Sequence, residues 1–409
     1  MKSCMQVEME EAAEMLLVHT REIFEPESIP LFGAFNRCAF MDIHASMPQP
    51  PFDRVLVDGY AVRHEDIASA SPRNPVRLRV TQHLFAGSGS PEPLGAGQAA
   101  RVMTGAMLPP GADCAIWQED TDGGEESVVI CRSIKKHQNC RLQAQDIVLN
   151  QLLARRGDVL HSTKLSLLAG QGHTHVRVFR QPKVAVLATG DELFPAGFPL
   201  PQGKIYDISN IMLGARLSAM GMNAAHISIC GDNMDELRSK MGILLNENDM
   251  LITTGGTSSG KKDFIPAVVS ELAAENGGIV LFKGIRIKPG SLTLGMVMRG
   301  KILLGLSGNP ASALATFEML AAPVLKKMSG RSRYYLERQK GIAQNNFGKY
   351  KKDVRHFVMA QMVGKNVFIR QYNGSTGAQG VFDEYNCFVD IPAGCRQIQK
   401  GMEVDVILV

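Results

Sequence analysis

No Cys-x-x-Cys pair occurs among the eight cysteines of this chain. Cys4, Cys38, Cys114, Cys131, Cys140, Cys230, Cys387 and Cys395 are scattered, which excludes a zinc knuckle and reads as buried, reduced thiols. No Lys/Arg stripe is dense, and a net charge of +4 over 409 residues gives no warrant for nucleic-acid binding. An anionic small molecule remains compatible, because local charge governs that encounter. No apolar run approaches the ~20 residues that span a membrane. Glu8, Glu10, Glu11 and Glu14 are unlike the start of a signal peptide, so a cytoplasmic protein is expected. Also missing are His-x-x-x-His and His-Glu-x-x-His pairs, a Ser-His-Asp or Cys-His nucleophile signature, and a P-loop Gly-x-x-x-x-Gly-Lys-[Ser/Thr]. There is no low-complexity segment and no internal repeat. An apolar content of 45% with 21% charge then describes an ordinary globular chain, and the length suggests roughly two to four domains.

What is present is organised around one loop. Met250 to Thr254 is a short apolar, partly β-branched run that reads as a buried strand. Gly255, Gly256 and Gly260, with Ser258 among them, break it and free backbone N–H groups to face a ligand. Asp263 stands where an N-cap would start a helix over 264–275. A strand, a Gly/Ser/Thr loop and a helix start make a binding place for phosphate or another oxyanion. The same grammar recurs at 184–188, followed by Thr189-Gly190-Asp191-Glu192, and at 301–306, followed by Ser307-Gly308-Asn309-Pro310. Asn309 with Pro310 gives an N-cap and a proline at the first helical position. Three such loops should meet at the C-terminal edge of one sheet, where open α/β folds bind ligands.

Taken in order, the chain starts with an amphipathic helix within residues 5–24, acidic on its outer face. Pro48, Pro50 and Pro51 mark an extended connector, and Asp58-Gly59 a tight turn. Short strands separated by Gly/Pro clusters fill 76–131, at 77–81, 99–103, 114–118 and 127–131. More helical character is expected over 146–163, then a short helix over 165–170, with 156–158 as its entry turn. From 183 to 329 strands and helices alternate, which argues a mainly parallel sheet covered on both faces. The last helix is expected at 310–328, and short strands follow at 356–362, 366–371, 386–391 and 402–409. The fold class is therefore α/β multidomain. Residues 1–52 with 147–180 form a helical, extended N-terminal and linker domain, and 53–146 a small β-domain. Residues 181–330 form the α/β domain, and 331–409 a C-terminal β-domain.

Carboxylates sit at loop positions a ligand could reach: Asp58, Asp191, Glu192, Asp232 and Asp263. Mg²⁺ prefers such oxygens and bridges to substrate phosphate, so carboxylates around phosphate-binding loops suggest a metal-assisted reaction on a phosphorylated substrate. Taken singly, Asp232 and Asp263 read first as helix caps, although a cap can also bind a ligand. Lys261, Lys262, Lys283, Arg286 and Lys288 supply cations near the same loops, each also readable as solvated surface. Lys288 is held on the turn Lys288-Pro289-Gly290. Thr104-Gly105 places a hydroxyl at a strand end, and the His173-Thr174-His175 pair reads as surface.

Several ordered stretches together resemble the molybdopterin molybdenumtransferase family, the molybdenum insertases that include the C-terminal domain of gephyrin. They are Pro50-Pro51-Phe52 with Val57-Asp58-Gly59-Tyr60-Ala61-Val62, Arg101 to Asp113 around Thr104-Gly105, and Thr189-Gly190-Asp191-Glu192-Leu193. Ile205-Tyr206-Asp207 with Ser209-Asn210, Gly255-Gly256-Thr257-Ser258-Ser259-Gly260 with Asp263, Lys288-Pro289-Gly290 and Gly308-Asn309-Pro310-Ala311-Ser312 complete the series. The resemblance implies a four-domain, elongated homodimer whose α/β domain is of the molybdopterin-binding type and whose C-terminal part is a β-barrel. It implies Mg²⁺-dependent insertion of molybdate into adenylylated molybdopterin, with release of AMP.

On the same resemblance Asp58, Thr104, Glu192, Asp232 and Asp263 would be catalytic. Asp191, Glu192, Asp232 and Asp263 would hold metal. Thr189, Gly190, Asp191, Gly255, Gly256, Ser258, Gly260, Lys283, Lys288, Gly308, Asn309, Pro310, Arg355, Ser375 and Thr376 would bind substrate. Asp58 and Thr104 would face the glycine-rich loops of the second subunit. A molybdopterin adenylyltransferase and molybdoenzyme apoproteins would be partners. The sequence departs from the family pattern at Ser291-Leu292, where Lys-Pro is usual, at Ser307, where Pro is usual, at Gly284, and at Ala144-Gln145. Those departures keep open a second reading, a molybdopterin-binding or scaffold paralogue that would bind the pterin without releasing AMP. A plain adenylyltransferase and a binder of an unrelated nucleotide are weaker readings.

Overall fold

Three runs of apolar residues, Val184–Thr189, Met250–Thr254 and Lys301–Leu306, form the centre of a six-stranded sheet and are almost wholly buried. Near-continuous apolar runs are what strands covered on both faces require. The computed structural model describes residues 6–258, 260, 262–348, 353–370 and 385–409. The chain folds as two compact units. One comprises the chain up to Met41, Arg156–Leu165 and Thr174–Val409; the other comprises Asp42–Arg155 and Ser166–His173.

In the larger unit the sheet order is Ala224–Cys230, Val184–Thr189, Met250–Thr254, Lys301–Leu306, Leu294–Met298 and Ile279–Lys283. The first four strands are parallel and the last two join antiparallel. Register is the decisive feature. Thr189 lies opposite Cys230, Ala188 opposite Thr254, and Thr254 opposite Leu306, so four chain segments leave the sheet at one edge.

Alternate strand residues face opposite ways. Val184, Val186, Ile252 and Leu304 pack with Leu213 and Leu217 of helix Ser209–Ala219 and with Met9, Ala12 and Leu16 of helix Met9–His19. Ala185, Leu187, Leu251 and Leu303 pack with Leu237, Met241 and Leu244 of helix Met234–Glu247 and Val268, Val269 and Leu272 of helix Ile265–Asn276.

The single helix expected over 310–328 is interrupted. It runs as α-helix Pro310–Thr316, a π turn Phe317–Ala321, and α-helix Ala322–Met328. Pro323 has no N–H to give the preceding turn and its ring crowds the carbonyl four residues back, so the helix widens there.

Arg355–Val363, Asn366–Ile369, Arg338–Ala343, Glu403–Leu408 and Cys387–Ile391 pair in that order, and Cys387–Ile391 closes back on Arg355–Val363 as a barrel. Arg338–Ala343 escaped the sequence reading because its first three residues are exposed and polar. A further short strand, Ile287–Lys288, adds to the barrel sheet in parallel with Arg355 and His356.

The smaller unit holds a five-stranded sheet in the order Cys114–Trp117, Gly59–Val62, Gln98–Val102, Val76–Leu84 and Ser127–Ile130. Gly59 has no room for a side chain, since a Cβ there would meet the carbonyl of Ile116. Asp58-Gly59 is a bend between extended pieces, as expected, but those pieces pair with other strands and make no hairpin. The helical character expected over 146–163 is absent. Leu152–Ala154 is a strand paired with Ile43–His44, and helix begins only at Ser162. Asn150 and Gly157 take positive φ, which breaks any helix through that stretch. His175 is exposed as expected, whereas His173 is half-buried with its Nε2 enclosed.

Leu304 is fully buried in the central strand. Leu304→Ala is expected to cost about 3 kcal/mol, read as a lower urea midpoint. Ile243→Ala, at a side chain 54% exposed, should leave the midpoint nearly unmoved. Equal shifts for both variants would contradict this packing.

Candidate active site

The four segments that leave the sheet edge are tied to one another by short-range contacts. The Gly190 N–H donates to the Cys230 carbonyl at 3.1 Å and the Gly255 N–H to the Leu306 carbonyl at 3.2 Å. Gly255 has φ +90, and a Cβ on it would collide with the Thr189 carbonyl. A Cβ on Gly308 would lie 3.2 Å from the Gly255 Cα. Glycine is needed at both positions because the backbones themselves touch.

Asp191 and Asp232 lock two of these loops reciprocally. The Asp232 N–H donates to Asp191 Oδ1 at 2.9 Å, and the Asp191 N–H donates to Asp232 Oδ2 at 3.3 Å. Lys262 Nζ donates to Asp191 Oδ2 at 2.8 Å, and the Lys204 ammonium donates to the Asp191 carbonyl. The Lys262 hydrogen bond, then the Asp232 N–H, holds the Asp191 carboxyl below the usual carboxylate range.

Two expected caps take other roles. Asp263 Oδ2 accepts the Gly260 N–H at 2.7 Å and so closes the glycine loop; helix Ile265–Asn276 starts at Phe264 with no side-chain cap. The cap of Met234–Glu247 is Asn233, whose side chain accepts from Glu236, leaving Asp232 to its pairing with Asp191. The Asn309 cap is as expected, accepting the Ser312 N–H at 3.1 Å, with Pro310 beginning the helix.

A cavity of about 480 Å³ opens on this edge. Of the expected residues, Thr189, Gly190, Glu192, Asp232, Gly255, Gly256, Ser258, Gly260, Asp263 and Gly308 line it. Lys262, Thr257, Leu292 and Ser307 line it too. Among the described residues, no acceptor engages the N–H groups of Gly256, Thr257 or Ser258, which suits a glycine loop that receives an anion. A second cavity of about 520 Å³ shares Thr189, Glu192 and Gly308, and adds Leu193, Leu200, Ile205, Tyr206, Pro310 and Ala311 as an apolar wall. Sequence reading missed this wall. Its signal was the apolar Ile205-Tyr206 pair, which zips in parallel to Leu193-Phe194.

Other expected residues lie apart from these cavities. The Lys283 ammonium donates to Ser270 Oγ at 2.7 Å. Lys288 is half-buried in the barrel-edge strand Ile287–Lys288. Arg355 pairs with Asp390 at 2.5 and 2.7 Å and with Glu10 at 2.7 Å, and Arg338 also reaches Asp390 at 2.8 Å. Burial works to raise the Asp390 carboxyl, but the two guanidinium groups outweigh it and hold that carboxyl low. Ser375 and Thr376 lie outside the described residues.

Among the described residues, no three His, Cys, Asp or Glu side chains converge as ready-made metal ligands. Asp191, Glu192, Asp232 and Asp263 therefore do not form a cage. Glu192 and Asp232 still offer hard oxygens to the cavity beside the unengaged N–H groups. That donor set fits Mg²⁺, which takes one or two carboxylates and completes its octahedron with water and substrate phosphate.

In the smaller unit Asp58 and Thr104 form a pair of their own. Asp58 Oδ1 accepts the Thr104 N–H at 2.7 Å and the Thr104 hydroxyl at 2.8 Å. The backbone donor first, and the hydroxyl second, hold the Asp58 carboxyl below its ordinary value.

Residues 7–172 match the family described as the MoeA N-terminal region (domain I and II), and residues 185–327 match the family described as a probable molybdopterin binding domain. A protein of Staphylococcus aureus (strain MSSA476) named molybdopterin molybdenumtransferase is 32% identical over 384 residues, covering 93% of this chain and 90% of that protein. One of the same name from Staphylococcus epidermidis is 33% identical over 370 residues, 90% of this chain and 87% of that protein. The crystal structure of a molybdopterin biosynthesis MoeA protein from Pyrococcus horikosii is 32% identical and superposes with a TM-score of 0.81, covering 98% of this chain and 99% of that one.

Thr104→Val removes the hydroxyl donor and keeps the backbone one, so the Asp58 carboxyl is expected to titrate at higher pH than in the parent. A carboxylate ¹³C NMR titration reads this, and an unmoved midpoint would contradict the pairing.

Proposed function

The chain belongs to the molybdopterin molybdenumtransferase family, and we propose that it inserts molybdenum from molybdate into adenylylated molybdopterin, with Mg²⁺ as cofactor and AMP as product. The observation that carries this reading is the convergence on one cavity of two carboxylates, Glu192 and Asp232, with a glycine loop whose N–H groups at Gly256 to Ser258 meet no acceptor among the described residues. A phosphate-linked substrate needs both kinds of group. The loop N–H groups of Gly256 to Ser258 would take phosphoryl oxygens, and Glu192 with Asp232 would hold Mg²⁺. Bound there, Mg²⁺ would supply positive charge to the link that breaks.

Each other residue has work that its contacts support. Asp191 positions the Asp232 loop, and Asp263 fixes the curvature of the glycine loop through Gly260. The apolar wall of Leu193, Ile205, Tyr206 and Pro310 would receive a flat ring of the substrate. Thr189, Gly190, Gly255, Gly308 and Asn309 shape the backbone around it. Lys288 and Arg355, with Ser375 and Thr376, belong to this reading on family resemblance. The same holds for the homodimer, in which Asp58 and Thr104 of one copy would serve the loops of the other, and for the division into four domains.

A second reading has one observation in its favour. Leu292 and Ser307, two of the departures from the family pattern, line the cavity itself. A paralogue that binds the pterin and has lost turnover would place its changes there.

Incubation with adenylylated molybdopterin and Mg²⁺, with and without molybdate, separates the two. Molybdate-dependent AMP release is expected, with losses on the order of 100-fold in Asp263→Ala, as for misplaced catalytic loops, and in Asp58→Ala. Binding without release would favour the scaffold. Mixing the two variants tests the dimer: sites shared between copies should restore about a quarter of the activity, by the statistics of two-fold assembly. Sites confined to one copy would restore none.

A further inference from the structure

Lys262 lies on the loop between Gly260 and Asp263, and its ammonium is 2.8 Å from Asp191 Oδ2. The surroundings make that contact unlike a casual surface pair. Asp191 Oδ1 is taken by the Asp232 N–H and the Asp191 carbonyl by Lys204, so Oδ2 is the carboxylate oxygen that Lys262 alone holds among the described residues. Asp232 and Glu192 add their negative charge to the field at the same ammonium. Lys262 and both of those carboxylates line the same cavity.

We propose that Lys262 is a placeholder cation: it neutralises the carboxylates of the site until a divalent ion arrives, and must swing away for that ion to bind. The inference rests on the metal-assisted reading of the site given above, and names the residue that regulates its cation. Like charges repel, so an ammonium held at Asp191 opposes a divalent ion on the neighbouring carboxylates of Glu192 and Asp232, which line the same cavity as Lys262. The pair is easily broken, because the side chains of Lys262 and Asp191 are 71% and 54% exposed, and exposed pairs contribute little. A released Lys262 stays on the wall of the cavity beside Gly256 and Ser258, where a phosphoryl oxygen would accept its hydrogen bond. Cation entry and phosphate capture would thus be coupled through one flexible side chain.

The test uses Mn²⁺ as the probe, its free concentration read by electron paramagnetic resonance in buffer of low salt without phosphate. Lys262→Met should bind Mn²⁺ roughly three- to tenfold more tightly than the parent, the range expected for removing one nearby exposed charge. Lys262→Arg keeps the charge and should bind like the parent. Asp191→Asn in the Lys262→Met background should cancel the gain, and the gap between parent and Lys262→Met should shrink as salt is raised. Lys262 is exposed, so these variants should fold as the parent does. If the parent binds Mn²⁺ and Lys262→Met binds it no more tightly, the inference falls and the proposed function stands. If neither protein binds Mn²⁺, the metal requirement of the proposed function falls with it.

Discussion

The parallel register of four neighbouring strands is the constraint from which the site follows. Because Thr189 and Cys230 end within one residue of the level of Thr254 and Leu306, the following segments begin at nearly the same height on one edge. Parallel strands leave that edge with unpaired backbone groups, and the fold answers by turning the loops onto one another. Thr189, Gly255 and Gly308 touch through backbone, so the edge is closed without bulky side chains and stays open to a ligand. A register slip of one residue would reverse the burial of every side chain in the slipped strand and lift its loop from the cavity. The two hydrophobic clusters, one on each face, prevent that slip.

Charge is arranged on this edge with a purpose that packing does not supply. Carboxylates crowded at one edge repel one another, and three of them, Asp191, Asp232 and Asp263, each receive a donor. Asp191 has Lys262 and the Asp232 N–H, Asp232 has the Asp191 N–H, and Asp263 has the Gly260 N–H. Three backbone donors and one lysine thus hold three carboxylates in fixed directions. The elements differ in mobility, since a backbone N–H cannot leave and an exposed lysine can.

Much of this was legible in the residues, and the failures have physical causes. Strands 184–189, 250–254 and 301–306 were plain, because burial on both faces demands unbroken apolar runs. Asn309-Pro310 was plain because capping is local chemistry. Asp263 and Asp232 were misread as caps because a sequence shows which residue types favour a helix start but not which donor lies nearest. Asn233 won one cap by a single position. The π turn at Phe317–Ala321 depends on how the chain relaxes around Pro323, which pattern alone does not reveal. The pairing of Arg355 with Asp390 and Glu10, residues 35 and 345 positions away, was not legible. Long-range pairing of that kind leaves no trace in spacing. The wall of Leu193, Ile205 and Tyr206 was visible as apolar residues, but their pairing into one surface was not.

The short strand Ile287–Lys288 hydrogen-bonds into the barrel sheet although its neighbours in sequence, Ile279–Lys283 and Leu294–Met298, belong to the six-stranded sheet. Glu10, on the first helix, likewise reaches across to Arg355 and Arg338. The strand Ile287–Lys288 and the first helix are therefore each tied to sequence that a cut after Gly330 would remove. Such a fragment would keep its six strands but lose the backbone partner that sets the position of Lys288. Gene truncations that spare the glycine loops while removing the barrel would inherit the sheet edge but leave Lys288 without its strand partner.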